Sequence, residues 1–225
     1  MLAQLRARRP RREVPGRRAM KLLSSAIFKT GSVAPGKEGP VLLNRVQELS
    51  SFGYFQRGTI GEMFTFFSRT FAANKSLVVG ARTSVKHEGY LCHLYVSPHG
   101  LTAVCFADAE YPARVAFGYL SKVCEDFGAQ AGPISSSTED NCMSGFTTHH
   151  TKLLTQFQDP SQADQLTRIM HELEQTKMVL HETIEAALER GQKIDTLIDK
   201  SNDLSGSSKM FYKTAKKQNQ CCSYM

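Results

Sequence analysis

The end of the sequence carries two adjacent thiols, Cys221 and Cys222, that could each hold a lipid. The final residues Cys222-Ser223-Tyr224-Met225 fit the C-a-a-X pattern, in which the cysteine is prenylated and Met favours farnesyl, although Tyr224 departs from the usual aliphatic choice. One lipid holds a protein weakly to a membrane, whereas two lipids, or one lipid and basic residues, hold it firmly. We therefore predict farnesyl on Cys222 and palmitoyl or a second prenyl chain on Cys221, with prenyl- and acyl-transfer enzymes as partners.

A second candidate is Arg190, which stands where a long amphipathic helix would place an apolar side chain. Steps of three and four along the chain give an almost wholly apolar or small series, which we name the heptad stripe. It comprises Leu166, Ile169, Leu173, Thr176, Leu180, Thr183, Ala187, Arg190, Ile194, Leu197, Ser201, Leu204, Ser208, Phe211, Ala215 and Gln218. A charge buried in such a seam costs several kcal/mol unless partners hydrogen-bond to it. Either the stripe is never buried, or a partner brings acceptors to this one layer.

Other motifs that could support chemistry are incomplete. Residues 31–37 match most of a phosphate-binding loop, but Glu38 occupies the position where Ser or Thr should hold magnesium, so a flexible hairpin loop is predicted. Cys142 with His149 and His150 could suggest a nucleophile and its base, but no orienting partner is nearby, and the histidines are predicted to be a surface pair. The cysteines lack metal-site spacing. The sequence thus predicts no enzyme, no cofactor and no metal.

The net charge of +7 is concentrated at the beginning of the chain. Residues 1–19 contain seven Arg and one Glu, so they carry six of the seven net positive charges. Such a segment is typical of a mitochondrial presequence, but it lacks Ser, and Pro10 and Pro15 interrupt a helix. We expect a basic disordered extension, and no nucleic-acid partner, because the rest of the chain is nearly neutral.

Residues 20–157 show the pattern of a layered α+β domain. The predicted strands are 22–28, 41–46, 81–86, 90–96 and 101–107. Helices are predicted from Thr59 to about Asn74, with a capping box at Thr59 and Glu62, after Tyr111-Pro112, and over about 149–157. Short connections indicate an antiparallel sheet with helices packed on it.

The first of these helices has two apolar surfaces. One face carries Ile60, Met63, Phe64, Phe67 and Phe71, whereas Phe66 lies roughly 120° away from it. We expect an apolar groove near Phe64 and Phe66 that a partner or a folded-back segment could cover. An exposed aromatic side chain at Phe66 is the alternative.

The chain resembles the arginine-class SNAREs, and within them the lipid-anchored longin SNAREs of the Ykt subfamily. The resemblance covers residues 20–225 and rests on Leu188-Glu189-Arg190-Gly191-Gln192-Lys193, on 211–219, and on the terminal cysteines, with further matches at 90–93 and 110–117. It implies a profilin-like longin domain, a five-stranded antiparallel sheet with three helices, followed by a long SNARE coiled-coil helix. It also implies that Arg190 is the central layer of a four-helix bundle and faces one Gln from each of three partner helices.

The corresponding domain organisation has five parts. It comprises a basic extension (1–19), a longin domain (20–157), a linker (158–165), a SNARE coiled-coil motif (166–218), and a lipidation tail (219–225). The motif would form a helix about 80 Å long, and alone it should be largely disordered or held against the longin domain.

The resemblance implies an R-SNARE that docks and fuses transport vesicles in ER–Golgi, Golgi and endosomal or vacuolar traffic. It would bundle with three Q-SNARE helices of syntaxin and Qb/Qc type, be inhibited by its longin domain, and be cytoplasmic and lipid-anchored on Golgi, vesicle and endosome membranes. A lipidated coiled-coil regulatory module is one alternative, although a homodimer would bring two Arg190 side chains together without acceptors. Self S-acylation, proposed for relatives, is another, but no nucleophile–base pair supports it.

Overall fold

The computed structural model describes much of the chain between its two ends. The described ranges are 21–34, 36, 39–87, 89–130, 139–160 and 178–221, with side chains in the last range described as far as Lys216. We refer to residues 21–160 as the sheet domain and to residues 178–221 as the C-terminal segment. The predicted extension 1–19 and Cys222 lie outside the described residues, as do the stripe residues Leu166, Ile169, Leu173 and Thr176.

A six-stranded sheet in the order β2-β1-β5-β4-β3-β6 forms the centre of the molecule. Its strands are β1 (Leu22–Lys29), β2 (Leu42–Gln47), β3 (Arg82–His87), β4 (Tyr90–Ser97), β5 (Leu101–Asp108) and β6 (Met178–His181). Strands β1 to β5 pair antiparallel, which confirms the predicted five-stranded sheet. The β3–β4 and β4–β5 hairpins turn at Gly89 (φ +88°) and Gly100 (φ +74°), where the backbone has the left-handed conformation that glycine adopts freely.

The two faces of the sheet bury different sets of side chains. Along β5, Val104 and Phe106 face one core, whereas Ala103 and Cys105 face the other, as the two-residue period of a strand requires. Helix α1 (Arg57–Ala72) covers the first core, and helices α2 (Ala113–Gln130) and α3 (Thr147–Gln156) cover the second. These are the three helices that the sequence predicts for the domain.

The predicted capping box of α1 is wrong. The helix begins at Arg57 rather than after Thr59, and its N-cap residue, Gln56, makes no side-chain cap hydrogen bond. A 3-10 turn at Tyr54–Gln56 runs directly into the helix. Preceding turn structure therefore takes the place of a side-chain cap, a known way to satisfy the free backbone groups at a helix end.

The C-terminal segment contains a strand and three helices in place of the single helix that the heptads predict for a bundle. After β6 come α4 (Ile184–Ala187), α5 (Ile194–Lys200) and α6 (Gly206–Cys221). The backbone is extended at Leu188 (ψ 157°), Lys193 (ψ 130°) and Ser201 (ψ 133°), where the helices are interrupted. The segment packs on the same sheet face as α1, and β6 pairs parallel with β3. A long helix without partners cannot bury its apolar side, so contacts with the sheet domain replace it.

Candidate functional site

Helix α1 and the C-terminal segment enclose the predicted groove residue Phe66. Its side chain is only 4% exposed and belongs to the same core as Ala187 and Ile194 of the segment. The folded-back segment therefore covers Phe66, and the alternative of an exposed aromatic is wrong. Phe64 instead faces the sheet, with its ring stacked on Phe106 at 4.6 Å between centroids, so it belongs to the domain core and not to the groove wall.

The C-terminal segment buries one side of its heptad pattern against the sheet domain. With Ala187 at position a and Arg190 at position d, the buried a positions are Ala187, Ile194, Ser201 and Ser208. The buried e positions are Ile184, Ile198 and Tyr212, with Ile198 fully buried. At position d, Leu204 is buried, Leu197 and Phe211 are half-buried, and Thr183 and Arg190 are exposed. The buried side is thus centred between a and e, whereas a bundle core is centred between a and d.

The e-position residues were missed by sequence reasoning, although the sequence carries a signal for them. Ile184, Ile198 and Tyr212 are each separated by fourteen residues, two full heptads. A large apolar residue repeated at e widens the apolar side of a helix beyond a two-position seam. That signal indicates a second packing surface on the same segment.

Two further layer residues have little contact with the sheet domain. Leu180 lies in β6 and is 56% exposed, because pairing with β3 is made through the backbone. Ala215 in α6 is half-buried and packs at the margin of the core. Among the stripe residues that the structure describes, coverage is therefore uneven and is fullest between Ala187 and Ser208.

A polar cluster, which we name the Arg69 clasp, joins the sheet domain to the C-terminal segment. Arg69 is 2% exposed, and its guanidinium donates to Asp203 (2.6 Å), to Asp140 (2.6 Å) and to the carbonyl oxygen of Pro40. Asp203 belongs to the segment, and the other two partners to the sheet domain. A buried arginine needs several acceptors to offset its lost hydration, and one of them comes from the segment.

A second polar contact fixes the start of α6. The backbone N–H of Ser205 donates to a carboxylate oxygen of Glu62 in α1 at 2.8 Å. Burial opposes ionisation of Glu62, but hydrogen bonds from Ser205 and Ser208 outweigh it and lower the pKa of the carboxyl group. Ser208 is fully buried beside them. Glu62 therefore remains charged and holds the first turn of α6 onto α1.

A cavity of about 860 Å³ remains between the segment and the sheet domain. Apolar side chains from both parts line it, among them Phe66, Leu77, Leu188 and Leu197. The β1–β2 loop contributes Val33 to the wall. Its volume falls in the range of about 300–1,000 Å³ that is typical of small-molecule sites.

Arg190 lies outside this packing, in a tight turn between α4 and α5. The N–H of Gln192 donates to the carbonyl oxygen of Glu189 at 3.0 Å, and Arg190 and Gly191 are the central residues of the turn. The Arg190 side chain is exposed to solvent. The folded-back form therefore avoids the cost of burying this charge.

The lysines near the predicted lipidation sites form ion pairs with α5. Lys213 contacts Asp199 at 2.7 Å, and Lys216 contacts Asp195 at 2.5 Å. All four side chains are 40–56% exposed, so these pairs contribute little to stability. The backbone of Cys221 ends helix α6.

The candidate nucleophile–base residues do not make an accessible catalytic site. His149 contacts Asp126 at 2.9 Å and is half-buried, but the prediction of a surface position is wrong for His150, which is fully buried. His150 Nδ1 lies 2.8 Å from Asn44 Oδ1 and Nε2 lies 2.9 Å from Ser25 Oγ. Burial lowers the pKa of His150 to about 3, so the imidazole is neutral. Ser25 and Asn44 are equally buried, and the triad ties α3 to β1 and β2.

The predicted core cysteines have the expected environment. Cys92, Cys105 and Cys124 are buried free thiols, and burial raises the pKa of each. They therefore remain protonated and serve as small apolar residues. Cys142 is exposed.

Among the helices that the structure describes, none is both long and apolar enough to span a bilayer.

Two family models match adjacent parts of the chain. Residues 49–167 match the longin model, described as a regulated-SNARE-like domain. Residues 165–224 match the synaptobrevin model. The second match begins before β6 and includes the whole C-terminal segment.

Individual relatives match nearly the entire chain. The Synaptobrevin homolog YKT6 of Candida glabrata is 38% identical over 211 residues, which cover 92% of this chain and 100% of the relative. The VAMP-like protein YKT61 of Arabidopsis thaliana is 40% identical, with 92% and 100% covered. The Synaptobrevin homolog YKT6 of Saccharomyces cerevisiae is 38% identical, with 88% and 99% covered.

Proposed function

Because the chain belongs to the Ykt6-type synaptobrevins, the longin-domain R-SNAREs of vesicle trafficking, we propose that it fuses membranes through residues 166–218. In the active form these residues make one helix that zips with three Q-SNARE helices, of syntaxin and Qb/Qc type. In the inactive form the segment is folded against the longin domain (20–157), and the packing of the segment on the sheet domain supports this form. The linker 158–165 allows the exchange, and 219–225 is the lipidation tail.

Membership of this family also indicates whether the chain catalyses a reaction. Synaptobrevins are SNAREs rather than enzymes, so the chain acts by assembling with other SNAREs. Self S-acylation is therefore not its activity, and a cysteine lipid must be added by a separate transfer enzyme.

The observation that carries the proposal is that the same side chains are needed in both forms. Ala187, Ile194 and Leu204 belong to the heptad stripe, and all three are buried against the sheet domain. One side chain cannot pack on the domain and in a bundle core at the same time. The longin domain therefore competes with the partner helices, and this competition is the inhibition.

Arg190 fits the same scheme. It is exposed in the folded-back form, where its charge needs no partner. In the bundle it is the central layer, and the carboxamide oxygens of three Gln side chains supply the acceptors that a buried guanidinium requires. Arg190 thereby selects one register and one class of partner.

Membrane attachment uses the two terminal cysteines, with farnesyl on Cys222 and palmitoyl or a second prenyl chain on Cys221. Lys213 and Lys216 are occupied by Asp199 and Asp195 in the folded-back form, and opening the segment releases them toward anionic lipid. The cavity beside Phe66 can shelter a prenyl chain while the segment is closed. We place the chain in the cytoplasm and on Golgi, vesicle and endosomal membranes, in ER–Golgi, Golgi and endosomal or vacuolar traffic.

Lipid mixing between two liposome populations tests this function. One population carries the lipidated chain and the other carries three Q-SNAREs; we expect lipid mixing with the wild-type chain and its loss with Cys222→Ser. Cys142→Ser is the matched control, because it makes the same change at an exposed thiol of the sheet domain. Absence of mixing with the wild type, or undiminished mixing with Cys222→Ser, would refute the proposal.

A further inference from the structure

The tight turn between α4 and α5 depends on a backbone conformation that only glycine adopts readily. Gly191 has φ +89°, and the N–H of Gln192 donates to the carbonyl oxygen of Glu189 at 3.0 Å. A four-residue turn with a positive φ at its third residue is the type II arrangement, which favours Gly at that position. The backbone is extended on either side, at Leu188 and at Lys193.

The same residue would have to be helical in a bundle. Ala187, Arg190 and Ile194 are consecutive members of the heptad stripe, so a helix through them passes through Gly191. Glycine is the poorest helix former after proline, because it loses the most backbone freedom. Gly191 therefore favours the folded-back form twice: it permits the left-handed turn, and it weakens the competing helix.

The space around Gly191 allows the effect of its backbone conformation to be tested without a change in side-chain contacts. A Cβ atom added at Gly191 would meet no atom within 4 Å in the described structure. A substitution to alanine would therefore neither clash nor remove a contact, and its effect would come from the backbone alone.

We propose that Gly191, the neighbour of the central-layer arginine, sets the balance between the folded-back form and the helical, bundle-forming form. The assignment rests on the proposed function for the identity of the second form. Gly191 would act through its backbone conformation alone, since it has no side chain to contact the domain or a partner.

Gly206 provides a matched control. It is the first residue of α6, its φ is not positive, and an added Cβ would also meet nothing within 4 Å. Because this position is helical in the folded-back form as well as in a bundle, Gly206→Ala strengthens both forms alike and leaves their balance unchanged.

Hydrogen exchange of the full chain measures the balance directly. We expect the amides of Met178–Ala187 to exchange about tenfold faster in Gly191→Ala, since an L-residue resists a left-handed φ by roughly that factor. Gly191→Asn should give a smaller increase, because Asn tolerates the left-handed region better. Gly206→Ala should match the wild type, and the amides of β1 and β5 are the internal reference. Equal rates for Gly191→Ala and wild type, or an equal increase with Gly206→Ala, would overturn the proposal.

The rate of assembly with three Q-SNARE helices separates this proposal from the function on which it rests. If exchange rises in Gly191→Ala and assembly is also faster, both stand. If exchange rises but no bundle forms with any variant, the role of Gly191 in holding the folded-back form stands and the proposed function fails. If assembly proceeds and exchange is unchanged, the proposed function stands and the role assigned to Gly191 is wrong.

Discussion

Arg190 has opposite requirements in the folded-back form and in the proposed bundle. In the folded-back form it lies at the tip of a turn and is exposed, so it contributes little to the stability of that form. In a bundle it would be surrounded by packed layers and would need acceptors from every neighbour. The charge therefore favours a bundle that supplies acceptors, and it favours the folded-back form over any bundle that lacks them. Other residues also contribute to the equilibrium between the folded-back form and the proposed bundle.

Among the polar contacts that stabilise the folded-back form, the Arg69 clasp is the clearest example. Arg69 is nearly fully buried, and Asp203 supplies one of its two carboxylate partners from the C-terminal segment. Opening the segment removes that partner and leaves a buried guanidinium with one carboxylate fewer. In a bundle helix Asp203 would fall at heptad position c, on the solvent side.

We predict that Asp203→Asn opens the segment without harming a bundle. The loss of one buried charge-assisted partner should cost the folded-back form about 2 kcal/mol, so assembly with Q-SNARE helices should start faster. Asp199→Asn is the matched control, because Asp199 makes an exposed ion pair with Lys213 and should contribute less than about 1 kcal/mol. Equal assembly rates for the two variants would contradict a role for the clasp. The measurement is stopped-flow assembly together with the melting temperature of the finished bundle.

At the scale of elements, periodicity predicted what the chain can form but not where the segment is interrupted. The five strands and three helices of the domain follow from apolar runs and turn residues, and all eight appear. The heptad stripe identified Ala187, Ile194 and Leu204 as core-forming, and they are buried. Gly191 marks the turn between α4 and α5 locally, but the interruption at Ser201 is followed by Asp203, whose contact with Arg69 joins residues 134 positions apart. Local sequence contains no record of such distant contacts.

Contacts between residues far apart in the sequence also explain which parts of the candidate site the sequence did not predict. Arg69 and Asp203 are separated by 134 residues, and neither stands out in its own segment. His150 was expected at the surface, but its two ring nitrogens meet Asn44 and Ser25 from β2 and β1, which supply the hydrogen bonds that a buried imidazole needs. Only the e-position series at Ile184, Ile198 and Tyr212 could have been found from periodicity.

Two elements contain neutral buried histidines that should make the fold sensitive to acid. Burial lowers the pKa of His93 in β4 to about 4 and that of His150 in α3 to about 3, against an ordinary value of 6.5. Their contribution is fully present above pH 6.5 and is lost as the pH falls toward these folded-state values, because the unfolded chain binds the protons first. At pH 5.5 each would lower the free energy of unfolding by about 1 kcal/mol.

We expect the free energy of unfolding of the chain to fall between pH 6.5 and 4, and to fall less steeply in His93→Gln. The informative quantity is the slope of the free energy of unfolding against pH, since the substitution also changes the stability at neutral pH. His99→Gln alters an exposed turn residue and should keep the wild-type slope. Urea unfolding at several pH values measures both. An unchanged slope in His93→Gln would show that this histidine does not remain neutral in the fold.

For the whole molecule, the proposed function requires one surface of the C-terminal segment to serve two incompatible assemblies. The folded-back form buries positions a and e, with Leu204 as its one buried residue at d among those described, whereas a bundle would bury a and d throughout. Position a is therefore shared, and position e distinguishes the two. This difference allows the folded-back form to be weakened while the bundle core is left intact.

The most direct measurement compares Ile198→Gln with Ile194→Gln in assembly with three Q-SNARE helices. Ile198 at e is fully buried, and Ile194 at a is 4% exposed, so either change should weaken the folded-back form by about 2 kcal/mol or more. We predict that both variants start assembly at least about tenfold faster than the wild type. Only Ile194→Gln should lower the melting temperature of the bundle, because Gln is tolerated at an e position. Wild-type assembly rates in Ile198→Gln, or equal bundle melting temperatures for the two variants, would contradict the account.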